Sequence, residues 1–306
     1  MTTLTQKDPV TPGQVKQITR VAQDAVEKAI ADYSLAKDSA QRIHGNPNWA
    51  TRIREATILV LAELANPQEY KDEEVKSTYG YLSGYTKPKD VAWQSNQLRV
   101  LFPGVGFHDE KAAQMAVPEG AEGLFVIPTW QSFAKLHGVS TYASCVEIVL
   151  AKLSETRKGN FYNYCSDNEL TDANFRETFR ETSWKKEAMA QIAELQKGYD
   201  LLVIPAQFGL VHRGRSVRRA RAVIGGVGFV LGAFEIGIML LLHPERLTNN
   251  DDLWIDCGGD EYMTSGESEF SHAPYFVFSD GEVKFDTRWV DVAGSFYGSA
   301  SASFPQ

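Results

Sequence analysis

Cysteine is scarce in this 306-residue chain, and what there is does not pair. Cys145, Cys165 and Cys257 are widely separated, odd in number and form no Cys-x-x-Cys. A disulfide framework or a cysteine-rich zinc site is therefore excluded as the organising principle, and a reducing compartment is the easier setting. Also missing are a glycine-rich phosphate loop ending in Lys-Ser/Thr, Gly-x-Ser-x-Gly, His-Glu-x-x-His and the Rossmann glycine pattern, which removes the commonest nucleotidase, hydrolase and dehydrogenase readings. Positive charge is in deficit: 31 Lys and Arg face 39 Asp and Glu, a formal charge of -8. The mean field repels phosphate, so nucleic acid is disfavoured as a partner and would need a local basic patch. The first residues lack the apolar stretch that a secretory signal requires, and the expected setting is a soluble, cytoplasmic one.

Long hydrophobic runs are absent with one exception. Val223 to Leu242 spans 20 residues with a single charge, Glu235. A membrane helix of that length would hold Glu235 near mid-bilayer at a cost of roughly 2.5–3.5 kcal/mol. Gly225 and Gly226 read as a turn, which leaves a helix near 229–242, too short to span and closed by His243-Pro244. The expectation is a buried central helix and no membrane partner. Glu235 is then either a rim residue paired with an arginine or a carboxylate whose pKa is raised by burial.

What is present is ample apolar material, 43% of residues, in two helical and strand-like patterns. Thr11-Pro12 opens an amphipathic helix carrying Val15, Ile18, Val21, Val26 and Ile30, and a second helix runs from about Trp49 to Asn66-Pro67. Residues 1–66 thus form a helical arm, residues 67–90 a linker or surface loop, and residues 91–306 a mixed body. The spacing predicts helices over Asp90–Phe102, Tyr142–Arg157 and Asn174–Gln196. Two apolar runs ended by proline, Glu122–Pro128 and Asp200–Pro205, read as buried strands. Leu253–Cys257 reads as another strand, and Pro274–Trp289 as a hairpin turning at Asp280-Gly281. The tail from Ala293, rich in Gly and Ser, is expected either to close over the body or to stay mobile. The fold class is α/β or α+β.

Two stretches carry chemistry. Arginine gathers between Arg213 and Arg221, just after an expected strand, where α/β proteins bind ligands. Ser216 suits the N-cap of a following helix. His212, Arg213, Gly214, Arg215, Ser216, Arg218 and Arg219 are therefore the candidate site for an anionic, phosphate-containing ligand, since planar guanidinium groups match phosphate and glycine permits close approach. The competing reading is that these arginines neutralise the acidic segment after Leu247, which holds eleven Asp and Glu. The second stretch is Asp256, Asp260 and Glu261, candidate ligands for a divalent metal ion in a metal-dependent hydrolase, with His212 as base. A third alternative is a structural or interaction protein that forms a homo-oligomer through its N-terminal helices.

Val203–Arg221, Gly232–Leu247 and Asp252–Tyr262 resemble stretches of uncharacterised bacterial hypothetical proteins. The resemblance implies a bacterial cytoplasmic setting and assigns no activity to any residue.

Overall fold

The computed structural model describes residues 11–32, 37–47, 49–50, 52–54, 57, 69–166, 170–178, 185–224 and 228–304. The chain divides into two compact units, Met1–Leu61 and Ala62–Gln306. The first contains helices α1 (Pro12–Asp32) and α2 (Lys37–His44). Thr11 opens α1 as its capping signal suggests: its hydroxyl accepts from the Gln14 N–H at 3.3 Å. The second helix expected in this arm lies largely outside the described residues, as does the turn at Gly225-Gly226.

The second unit holds α3 (Val91–Leu101), α4 (Trp130–His137), α5 (Tyr142–Thr156), α6 (Lys185–Leu195), α7 (Val217–Val223) and α8 (Ala233–Leu242), with two sheets. One sheet has the order β1 (Gly123–Pro128), β4 (Leu201–Gln207), β11 (Ser301–Ser303), β5 (Gly228–Val230), all antiparallel. The two similar apolar runs are direct partners within it, with Gly123 opposite Ala206 and Pro128 opposite Leu201. The second sheet contains β2 (Phe161–Asn163), β3 (Phe175–Glu177), β6 (Trp254–Asp256), β7 (Asp260–Tyr262), β8 (His272–Ser279), β9 (Glu282–Trp289) and β10 (Tyr297–Ser299). Two of its pairings, β10 with β6 and β2 with β9, are parallel. The body is thus of the mixed α/β or α+β kind.

Local chemistry explains several of the elements, the unanticipated helix Trp130–His137 among them. Asp90, Thr129, Thr141 and Ser216 each cap a helix, accepting a backbone N–H at its first turn. Asp280 and Gly281 both take positive φ, 57° and 86°, which matches the twist of the β8–β9 hairpin. Three expectations need correction. The apolar segment near 229–242 is not one helix: Gly228–Val230 pair as β5, and the helix begins only at Ala233. The stretch expected as a helix from Asn174 opens as β3 (Phe175–Glu177), and the helix is described over Lys185–Leu195. The tail does not hang free, because β11 sits between β4 and β5.

Every residue of α8 is buried, against α5 and β1 among others. Residues 69–90, expected as a linker or surface loop, run along the body. Tyr85 is buried, Glu74 bridges to Arg215, and the Leu82 and Ser83 N–H groups donate to Asp252.

Candidate functional site

The arginine-rich junction forms where β4 hands over to α7, as its sequence suggested, but carboxylates of the chain itself pair with Arg215, Arg218 and Arg219. Arg218 Nε donates to both Glu73 carboxylate oxygens at 2.8 and 2.9 Å, and Arg219 pairs with Glu74. Arg215 Nε lies 3.4 Å from Glu74. Ser216 caps α7 and donates its hydroxyl proton to Glu73 at 2.6 Å. Burial alone would raise the Glu73 carboxyl, yet the bonds from Arg218 and Ser216 outweigh it and hold the pKa below the usual value. Arg213 is exposed and donates to the Tyr79 carbonyl at 2.9 Å. The Gly214 carbonyl accepts from Val75 N–H. Burial, reinforced by Arg215, pushes the His212 imidazole down to about 3, so it carries no charge for an anion. The neutralising carboxylates come chiefly from residues 73 and 74 and not, as the competing reading had it, from the acidic tail. From that tail Asp291 lies beside Arg218 and Glu261 beside Arg221.

Asp256, Asp260 and Glu261 are not brought together either. Adjacent positions on β7 face opposite ways, so Glu261 pairs outward with Arg176 at 3.0 Å while Asp260 turns into the core. Asp256 lies 3.5 Å from Arg288, and burial, against the pull of Arg288 and Arg221, pushes its carboxyl up to about 6. Among the described residues no group of three or more His, Cys, Asp and Glu is arranged to hold a metal ion.

Asp260 belongs instead to a sealed ionic cluster around Lys185, the first residue of α6. The Lys185 ammonium is fully buried and lies 3.0 Å from Asp260 Oδ1, 2.9 Å from Glu235 Oε2 and 3.4 Å from Glu177 Oε1. It also donates to the Tyr142 hydroxyl. The N-terminus of α8 supplies further donors: Ala233 N–H to Asp260 Oδ2 at 2.6 Å and Gly232 N–H to Glu235 Oε2 at 3.1 Å. Glycine is required around it, because a Cβ at Gly259 would meet the Lys185 stem and the Val230 carbonyl. Burial works to lower the Lys185 pKa, but Asp260, Glu235 and Glu177 overcome it and hold the ammonium charged. Glu235 is the raised carboxylate of the sharper sequence reading. Burial, with Asp260 and Glu177 adding to it against Lys185, lifts it to about 7. Its cation is a lysine, not an arginine.

A third cluster has the opposite character, with polar atoms gathered and left without partners. Phe208, the residue after β4, is ringed by Tyr85, Phe125 and His243 at centroid distances of 5.2, 5.4 and 6.4 Å. Arg246, brought in by the Pro244–Arg246 turn that ends α8, places its guanidinium 3.8 Å above the Tyr81 ring and 5.5 Å from Phe208. It is fully buried and makes one side-chain hydrogen bond, from Nη2 to the Leu253 carbonyl at 2.7 Å. Among the described residues its Nε and Nη1 have no hydrogen-bond partner, and neither does His243 Nε2, while the Tyr85 hydroxyl and the Glu122 carboxyl interact with each other and His243 Nδ1 lies 3.9 Å from Glu245 Oε1. Glu122 Oε1, by contrast, accepts from Tyr81 and from Phe208 N–H. Burial raises the Glu122 carboxyl against Tyr81, Phe208 and Arg246, and pushes the His243 imidazole down to about 4. Sequence reasoning missed this cluster. The only local signal is an arginine two residues after a helix-ending proline, and its partners come from positions 81, 85, 122 and 208.

Among the described residues no helix is long and apolar enough to cross a membrane. Comparison with known proteins finds no family model, no curated protein and no solved structure that matches the chain.

Proposed function

We propose that the body binds a small anionic ligand, bearing a phosphate or carboxylate group, at the end of β4, and that Arg246 reads the anion. The observation that carries this reading is a buried guanidinium with two nitrogens that have no hydrogen-bond partner among the described residues, near Tyr81, Tyr85, Phe208 and His243. A buried polar atom without a hydrogen bond costs roughly 1–3 kcal/mol, so folding alone gives no reason to keep several together. A ligand oxygen supplies an acceptor for Nε or for Nη1, which lie on different edges of the guanidinium, and a charge-assisted bond to either suits a phosphate or carboxylate oxygen. The aromatic surround suits a ligand with a flat apolar part beside its charge. The site differs from the Arg213–Arg221 junction expected for the anion, although both adjoin the end of β4. The arginine differs, because Arg215, Arg218 and Arg219 are engaged by Glu73 and Glu74.

Thermal unfolding of the full chain tests the reading with inorganic phosphate, acetate and adenosine monophosphate as probes. At least one probe is expected to raise the melting temperature through linkage, approaching about 2.7 kcal/mol of added stability at a hundredfold excess over Kd. Arg213→Ala with Arg215→Ala leaves that shift intact. A shift lost in this double variant places the anion at the junction and overturns the assignment.

One observation favours a second, compatible reading. Val15, Ile18, Val21 and Ile30 of α1 are exposed, Val21 by 69%. An apolar stripe of this kind on a helix suits self-association through the arm.

A further inference from the structure

The Lys185 cluster holds an arrangement that an ordinary ion pair does not need. An amine donor and a carboxyl acceptor meet with a second carboxylate beside both, and the Lys185 and Asp260 side chains are wholly shut off from solvent. We propose that Lys185 and Asp260 are joined by an intramolecular amide bond, formed spontaneously in the folded chain with Glu235 as the proton carrier.

The geometry supplies each part. Lys185 Nζ lies 3.0 Å from Asp260 Oδ1 and 2.9 Å from Glu235 Oε2. Glu235 takes a proton from the ammonium and passes it to Asp260 Oδ1, so that a neutral amine faces a carboxylic acid. The nitrogen lone pair attacks the Asp260 carboxyl carbon and the C–N bond forms. Negative charge develops on Oδ2, which already accepts the Ala233 N–H at 2.6 Å at the start of α8, the placement that an oxyanion requires. Glu235 carries a second proton from the nitrogen to Oδ1, the C–Oδ1 bond breaks and water leaves. The net change is ammonium plus carboxylate to amide plus water, with no oxidation or reduction and Glu235 returned to its first state. The Tyr142 hydroxyl, 3.0 Å from both Asp260 oxygens, polarises the same carboxyl group.

Two features favour Asp260 over the other two carboxylates, and two more favour the reaction. Both of its oxygens receive donors, while for Glu235 the recorded donors reach Oε2 alone, and Glu177 is the most distant at 3.4 Å. The interior gains by the reaction, because two buried charges become one amide that keeps the Ala233 hydrogen bond. Phe175 and Phe234 flank Tyr142 at 5.6 and 6.3 Å and keep water from the site.

The experiment is the intact mass of the full chain, denatured, followed by tandem mass spectrometry of its protease fragments. The expected result is a loss of about 18 Da, one water, with a branched peptide joining the segments of Lys185 and Asp260. Glu235→Gln, which keeps both reacting groups, is expected at its full mass, and so is Lys185→Arg, which keeps the cation. A wild-type chain at full mass overturns the proposal without recourse to any variant. A branch at Glu235 or Glu177 overturns the assignment to Asp260. A water loss that persists in Lys185→Arg identifies an ordinary dehydration and overturns it as well.

Discussion

A titratable side chain reports the environment into which folding puts it, and Asp256 is the clearest case. Burial lifts its carboxyl to about 6, with Arg288 and Arg221 only partly offsetting it, against about 3.9 for an unfolded aspartate. Between those values the folded chain holds a proton that the unfolded chain has released. This group's contribution to stability is therefore present at low pH and is lost as pH rises through the window. Asp256→Asn removes that dependence. In urea titrations from pH 4 to 7 the variant is expected to gain on wild type, by on the order of 2–3 kcal/mol. A stability difference that stays flat with pH contradicts the buried, proton-holding Asp256. His212 and His243 act with the opposite sign: burial holds them at about 3 and about 4, so their contribution is present above the unfolded value and lost as pH falls. Because both kinds titrate together, the whole-protein profile is flatter than any single group implies, and the difference between variant and wild type is the informative quantity.

At the scale of elements, legibility followed the locality of the physics. A cap and its helix lie within four residues, so Ser216 announces α7, and apolar spacing within a few turns announces α3 and α5. The Asp280-Gly281 turn likewise announces its hairpin. Ser216 also shows how much one such residue holds, since its hydroxyl caps α7 and ties it to Glu73. Ser216→Ala is expected to cost about 1–2 kcal/mol in urea unfolding, more than a cap on an exposed helix usually does, because the half-buried Glu73 carboxylate loses a donor as well. A cost below about 0.5 kcal/mol contradicts the tie to Glu73. The missed elements are those fixed from afar. Ser301–Ser303 has little strand propensity of its own and becomes a strand because β4 and β5 accept it on either side. Gly228–Val230 looked helical because both faces are buried, and an apolar run reads the same in either period. Lys185 gave no sign at all: a lysine goes to the interior only when several partners meet it, and Tyr142, Glu177, Glu235 and Asp260 stand far apart in sequence.

For the whole molecule, the division at Leu61–Ala62 separates an arm with exposed apolar residues from a body that contains all three polar clusters. If the arm serves self-association, deleting residues 1–61 should lower the mass measured by light scattering while the body keeps its cooperative melt. An unchanged mass, with both proteins the same species, contradicts that role. Within the body the clusters differ in how completely they are satisfied. The arginine junction and the Lys185 cluster close their hydrogen bonds internally and stabilise one arrangement of strands and helices. The Arg246 cluster does not, and incomplete satisfaction concentrates at sites that bind.

Arg246→Met is the most direct test of that distinction, with urea unfolding measured with and without the most effective of the three anions. If the unpartnered guanidinium exists to read a ligand, the variant should be at least as stable as wild type when free, since methionine leaves no orphaned nitrogens, and adding the anion should no longer stabilise it. A free variant weaker by some 3–5 kcal/mol, together with a wild type indifferent to every anion, would contradict the account and make Arg246 a structural residue.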